Sequence, residues 1–410
     1  MRKVTSKNKV NNPNIKKENK DITSVENQLS QMFKDHDRVL ASLLGQVTQG
    51  ISPAALLYAF ADWLLHLSIS PGKQFYLCHK AYKKYLTLIN FMKDFILGKA
   101  EFPCIDPLPQ DKRFADETWR HWPFNVFYQS FLLVQQWWWN ATTDVSGVSQ
   151  HHIEIVTFIV RQILDMASPS NFIMTNPEVL AKTYETQGTN LVQGFLNYLE
   201  DRKLERCHEL PNGAENHLPG ESVAITPGKV VFQNDLIELI QYFPMTEKVY
   251  KEPILIVPAW IMKYYILDLS PHNSLVRHLV QEGHTVFIIS WKNPSRQDEN
   301  LGLNDYMKLG VLEAIQAVEK ITGQQQMHAV GYCLGGTILA ITKAYLARCK
   351  DNRLKTLTLL ATQTDFLEPG ELGLFIDESQ ITFLENYMWS KGYLDASNLS
   401  GAFQILNSKD

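Results

Sequence analysis

The stretch Met327 to Lys350, MHAVGYCLGGTILAITKAYLARCK, limits what this chain can fold into more than any other. It begins as a short apolar run and turns through Gly331-Tyr332-Cys333-Leu334-Gly335-Gly336. It leaves as a helix on which Ile338, Thr342, Tyr345 and Cys349 recur at roughly helical spacing, one face to lay on a sheet. Strand, sharp turn with a nucleophile, then helix is the layout of a G-x-S-x-G elbow, with cysteine in the serine position. Glycine is required at 331, 335 and 336 because a Cβ there would collide with the strand or the helix. The turn lifts the Cys333 sulfur out of the sheet and aims a helix N-terminus at it, which favours a thiolate. Cys78, Cys104, Cys207 and Cys349 lack this setting and read as small buried hydrophobes.

The remaining composition excludes several classes. A net charge of −4 over 410 residues gives no global reason to bind nucleic acid. Five cysteines with no CxxC pair make neither a disulfide framework nor a zinc site, and the odd number suits a reducing cytoplasm. No run of about 18 uncharged apolar residues is present, so no transmembrane helix is expected; the best stretch, Ala54 to Ile69, is broken by Asp62 and His66.

Along the chain, residues 1–20 carry seven basic residues against Glu18 and read as a basic, disordered tail. From 21 to 205 the pattern is helical: Asn27–Leu44, Ala54–Leu67 behind Pro53, Gln74–Leu97 up to Gly98, Trp119–Trp139, His151–Met166 and Glu178–Asp201. Trp137, Trp138 and Trp139 cannot share one helix face, so one or two should pack inward and the rest cover a partner, a second subunit or an apolar polymer. A polar, Pro- and Gly-bearing stretch follows; it holds His208 and His217, both expected in solvent, and marks the domain boundary. Beyond it, Lys229–Gln233 and Leu236–Tyr242 read as an antiparallel pair. Apolar strands at Ile254–Val257, Thr285–Ser290, Met327–Val330 and Leu357–Ala361 then alternate with helices, of which Asp305–Thr322 should turn Val311, Ile315, Val318 and Ile321 inward. The fold class is therefore α/β: an α/β-hydrolase-like core over 206–410, preceded by a helical domain over 21–205.

A thiolate suits acyl transfer between thioesters, because one thioester is exchanged for another. The oxyanion that forms needs two donors. The Leu334 backbone N–H supplies one, and the loop carrying Trp260 and Ile261 should supply the other. The base is harder to place. Of the twelve histidines none follows Cys333, and His328 lies inside the strand, roughly 16 Å back along it. Asp365 follows a strand and is a weak candidate for the acid. The core is expected to be incomplete at its C-terminus.

Specific motifs extend well beyond the elbow: DKRFADETW at Asp111–Trp119, SPSNF at Ser168–Phe172, TNPE at Thr175–Glu178, TPGKVVFQN at Thr226–Asn234, KYYILDL at Lys263–Leu269, SWKNP at Ser290–Pro294, GYCLGGT at Gly331–Thr337 and ATQTDF at Ala361–Phe366. With these the chain, from about residue 100 on, resembles the class I polyhydroxyalkanoate synthases, the poly(3-hydroxybutyrate) polymerases. It departs from the family pattern at Ala259 and Met262, beside the expected oxyanion loop. The resemblance implies that Cys333 holds a growing (R)-3-hydroxyacyl chain and takes each unit, 3-hydroxybutyryl above all, from its CoA thioester with release of CoA. It implies a histidine that activates the cysteine and an aspartate that activates the monomer hydroxyl, both at positions beyond 410, with Gly401–Asp410 matching the stretch before them. It also implies no metal and no cofactor besides the acyl-CoA substrate, a homodimer, and a cytoplasmic location at the polyester granule surface. The competing expectation is a catalytically incomplete fragment or pseudoenzyme that binds granules, a full-length synthase or a complementary fragment. An ordinary esterase or depolymerase fits less well, given cysteine at the elbow.

Overall fold

The computed structural model describes residues 13–48, 50–99, 103–207, 209, 212–389 and 391–394. Seven helices come first: α1 (Pro13–Thr48), α2 (Pro53–Ser68), α3 (Pro71–Ile96), α4 (Phe124–Thr142), α5 (Gln150–Met166), α6 (Pro177–Glu185) and α7 (Thr189–Cys207). Proline opens α1, α2, α3 and α6, where its missing N–H costs nothing. Gly98 at φ +68 ends the third helix. The expected tail is corrected in part. Residues 1–12 lie outside the described residues, but 13–20 are the first turns of α1, where Lys16, Lys17, Glu18 and Lys20 are good helix formers. His208 and Gly401–Asp410 also lie outside the described residues, while His217 is exposed as expected.

The α/β part follows: β1 (Gly228–Gln233), β2 (Ile237–Tyr242), β3 (Ile254–Val257), a small hairpin of β4 (Asp268–Ser270) and β5 (Asn273–Ser274), α8 (Leu275–Gln281) and β6 (Val286–Trp291). Then come α9 (Leu303–Asp305), a π-helical turn (Tyr306–Leu312) continuous with α10 (Glu313–Thr322), β7 (Met327–Tyr332), α11 (Leu334–Arg348), β8 (Leu354–Leu360) and α12 (Glu378–Met388). Six strands form one sheet in the order β1-β2-β6-β3-β7-β8. The first two are antiparallel to their neighbours and the last four run parallel. Strands buried on both sides alternate their residues between two cores. Leu255, Val257, Phe287 and Ile289 face the layer that holds Val311, Ile315 and Ile338; Ile254, Ile256, Val286 and Ile288 face Val276 and Val280 of α8.

Three expected inward positions are corrected. Ile321, Tyr345 and Cys349 are exposed. On α11 the stripe that packs is Ile338, Leu339, Thr342 and Leu346, which is the i, i+4 row continued one residue over. Cys78 and Cys207 are likewise exposed rather than buried, and Cys104 is half-buried.

Contacts divide the chain into two compact units. One is built from the described residues up to Leu57 together with those from Phe375 on; the other is Tyr58–Leu374. In the first, the Ser52 N–H donates to the Gln380 side-chain oxygen at 2.8 Å, and the Gln380 amide donates to the Gly50 carbonyl at 2.6 Å, joining α1 to α12. In the second, Phe114, Trp119, Tyr128, Phe131 and Leu132 form an aromatic core under α4. No single helix among the described residues is long and apolar enough to cross a membrane.

Candidate active site

The elbow forms where the sequence places it. Cys333 joins β7 to α11 with φ 55° and ψ −128°, a conformation that L-residues with a side chain rarely hold. Three sets of contacts keep it there. The Cys333 N–H donates to the Leu360 carbonyl of β8 at 3.0 Å, while its own carbonyl accepts from Gly336 N–H at 2.9 Å. The Thr337 hydroxyl donates to the Gln363 carbonyl at 2.8 Å. The glycines let backbones close up: a Cβ at Gly331 would stand 2.3 Å from Gly336 Cα, one at Gly335 2.1 Å from the Val257 oxygen, and one at Gly336 1.9 Å from Thr362 Oγ1. The requirement is close approach rather than unusual φ at the glycines themselves.

The position in the sheet is the one where α/β folds bind ligands. β3 is followed in sequence by β6 on one side and then by β7 on the other, so the crossover direction switches between β3 and β7, and Cys333 stands at the carboxyl end of that pair. The loop that leaves β3 runs beside the elbow, as the Gly335 contact with Val257 and Pro258 shows. That loop is braced from β6: the Trp291 indole N–H donates to the Pro258 carbonyl at 2.7 Å. Tyr306, the first residue of the π-helical turn, packs between Trp291 and Trp260, with ring centroids 5.4 and 5.6 Å away. Burial pushes the Tyr306 phenol above its ordinary pKa. Gly310 in the same turn makes room for the Trp291 ring, since a Cβ there would lie 2.4 Å from it. This brace was missed from sequence. Its one visible sign was the Ser290–Pro294 motif, and the π-helical turn that presents Tyr306 has no periodicity of its own to read.

The remaining candidates fall as follows. Leu334 is the first residue of α11, and Trp260 and Ile261 sit in the loop after β3. None of these three backbone N–H groups donates a hydrogen bond among the described residues. Cys333 is half-exposed, and no side chain among the described residues hydrogen-bonds its sulfur. His328 is a strand residue whose Nδ1 meets Thr356 Oγ1 on β8 at 2.6 Å. Asp365 is exposed, and its carboxylate accepts from the Leu367 N–H at 3.0 Å, capping the loop after β8. No cluster of three or more metal-ligating side chains is found among the described residues.

Three family models match. Residues 31–73 match the poly-beta-hydroxybutyrate polymerase N terminal model, residues 110–279 the poly-beta-hydroxybutyrate polymerase (PhaC) N-terminus, and residues 252–400 the alpha/beta hydrolase fold. A poly(3-hydroxyalkanoate) polymerase of Methylorubrum extorquens is 42% identical over 318 residues, which is 76% of this chain and 52% of that one. The poly(3-hydroxyalkanoate) polymerase subunit PhaC of Cupriavidus necator is 37% identical over 304 residues, 72% of this chain and 51% of that one. The chain thus spans about half the length of the curated relatives it matches. Overlap with a solved alpha/beta hydrolase from Novosphingobium aromaticivorans is slight, with TM-score 0.22 and 14% identity over 32% of this chain and 42% of that one. The fold rests instead on the sheet itself and the family match. On the two N-terminal models and the extent of identity to these relatives, the chain belongs to the poly(3-hydroxyalkanoate) polymerase family.

Proposed function

We propose that this chain carries the nucleophile of a polyester-forming acyltransferase. The Cys333 thiolate attacks the thioester carbonyl of an (R)-3-hydroxyacyl-CoA, 3-hydroxybutyryl-CoA first among them. A tetrahedral oxyanion forms, then collapses with loss of CoA thiolate, which takes up the proton that the cysteine gave up. The hydroxyl of a further hydroxyacyl-CoA then attacks the acyl-cysteine and gives its proton to the base; an ester bond replaces the thioester and the Cys333 thiolate leaves, then attacks the thioester of the lengthened chain and releases that unit's CoA as the thiol. The scheme balances without a cofactor. The N–H of Leu334 and those of Trp260 and Ile261 are suited to hold the oxyanion, and the N-terminus of α11 favours the thiolate. The base and the acid come from outside the described residues in this reading. The product is a polyester, so the protein works at the surface of its own granule in the cytoplasm, as a homodimer.

The observation that carries this reading is the strained cysteine elbow in a chain of this family. Purified chain should release CoA from 3-hydroxybutyryl-CoA, followed by chromatography, and intact-mass analysis should show an acyl adduct that disappears in Cys333→Ala. An adduct that persists in that variant sinks the proposal. The second reading is a non-catalytic binder of granules, of a full-length synthase or of a complementary fragment. It draws on the unpartnered Cys333 sulfur among the described residues. It predicts no CoA release by the chain alone, together with stable capture by an active family polymerase; release without capture overturns it.

A further inference from the structure

α3 has two apolar sides, and only one of them is covered. It packs on α4, and the Trp137 indole N–H donates to the Leu77 carbonyl at 3.0 Å. Leu77 and Phe91 are buried, with Leu88 and Phe95 half-buried along the same side. The opposite side of a surface helix is ordinarily polar. Here it is a stripe of Phe75, Cys78, Tyr82, Tyr85, Ile89 and Ile96, spaced three, four, three, four and seven residues apart, so all six fall on one face. Every one is exposed, Phe75 to 76% and Ile96 to 79%. A contiguous exposed apolar patch of this kind marks an interaction surface.

Charge decides what the surface fits. α3 carries Lys73, Lys80, Lys83, Lys84 and Lys93 against a single acid, Asp94, in a chain whose net charge is −4. α4, against which it packs, has no charged residue, and none of the five lysines pairs with an acid among the described residues. The Lys73 and Lys80 ammonium groups lie over the Tyr76 ring, 5.4 and 5.1 Å from its centroid. Lys73 also donates to the Thr143 carbonyl at 2.8 Å. Lys84 donates to the Gln136 side-chain oxygen; burial and the neighbouring Lys80 hold its ammonium below the ordinary lysine pKa. Lys83 at the margin of the stripe and Lys93 within it are exposed. Other helices with exposed apolar side chains lack this excess: α1 has five acids against five bases, α2 has Asp62 and His66 alone, and α7 has three acids against three bases.

We propose that α3 docks this protein on an anionic phospholipid membrane, lying in the plane of the headgroups with its stripe against the acyl boundary and its lysines on the lipid phosphates. From Phe75 to Ile96 the stripe runs about 32 Å, so the helix meets the surface along its length rather than by its tip. The tyrosines separate this partner from a protein helix. In a dry seam between two helices the Tyr82 and Tyr85 hydroxyls would each need a buried partner; at the headgroup boundary they stay in water. A second copy of α3 would bring two lysine-bearing faces together, and an uncharged polymer surface offers the lysines no counter-charge.

The test is flotation of the full chain with vesicles of phosphatidylcholine and phosphatidylglycerol in equal parts, against vesicles of phosphatidylcholine alone. Partition onto the anionic vesicles is expected to be tenfold or more the stronger, and to fall as salt rises. Lys83→Glu with Lys93→Glu should lower it tenfold or more, and so should Phe75→Ser with Ile89→Ser. Val192→Ser with Phe195→Ser on the charge-balanced α7 should leave it unchanged; unaltered thermal unfolding shows that each variant is folded. No partition, equal partition onto both vesicles, or binding indifferent to the α3 pairs overturns the proposal. So does an equal loss from the α7 pair, which means general apolar adhesion. If the α3 pairs turn a dimer into a monomer by light scattering and leave vesicle binding intact, the stripe is a seam between copies and the membrane assignment falls. If particles of amorphous poly(3-hydroxybutyrate) without lipid are bound as tightly as the anionic vesicles, with the same losses, the surface is one for uncharged polymer and the assignment falls as well.

Discussion

At the scale of single residues, the elbow is a problem in backbone proximity. Gly335→Ala would place a methyl group 2.1 Å from the Val257 oxygen and 2.5 Å from that of Pro258. Neither neighbour is a flexible side chain, so β3 and α11 must separate. A loss of about 3 kcal/mol, the upper end for overpacking, is expected in urea unfolding, together with loss of any CoA release. A wild-type midpoint would show that the two elements have more play than their spacing implies. The cysteine itself was readable in the sequence because glycines at fixed offsets around one nucleophile leave few other structures. The helix after it was read less well. Tyr345 and Cys349 continue the spacing that starts at Ile338, yet they lie past the part of α11 that the sheet covers, and periodicity alone does not show where cover ends. Trp260 and Ile261 were placed by analogy with the fold, and what fixes their loop, the Trp291 indole on the Pro258 carbonyl, is a contact between strands that no local pattern reveals.

At the scale of elements, strands and helices were legible where burial was two-sided or one face was strongly apolar, as in β3, β6 and α10. The order of strands was not: β6 lies between β2 and β3, which only the assembled sheet decides. Helix pairing was also hidden. α2 and α5 are joined by the Asp62 carboxylate, which meets His152 Nδ1 at 2.6 Å and accepts from the Ser149 N–H at 3.2 Å, with His66 Nδ1 3.0 Å from its other oxygen. The hydrogen bond to His152, with the Ser149 N–H and the charges of both histidines adding to it, holds Asp62 below the ordinary aspartate pKa. A depressed carboxylate contributes stability that is present above its unfolded pKa and is lost as pH falls through the folded one. Asp62→Asn should therefore cost about 1 kcal/mol near neutrality, a modest figure because the group is partly exposed. The difference from wild type should shrink below about pH 4. Thermal unfolding across pH 3–7 measures it, and a gap that widens toward acid contradicts the pairing.

At the scale of the whole molecule, β8 pairs with β7 on one side and with nothing on the other among the described residues. Lys355, Thr356, Thr358 and Leu359 along it are exposed. An edge strand with free backbone groups invites another chain. Light scattering behind size exclusion should show association that grows with concentration, and a monodisperse monomer up to high concentration would count against a free edge. The chain also carries two unlike kinds of glycine, which turns the fold into a forecast about sequence drift. Gly323 stands at φ +65° with nothing near its would-be Cβ, so a library of random variants should accept asparagine there, the residue that best tolerates that backbone. Gly331, Gly335 and Gly336 have ordinary backbones and no room, so the same library should return glycine and nothing else at those three positions. Deep sequencing of folded survivors would then mark the elbow as a block that cannot drift, even in variants from which the cysteine has already been removed.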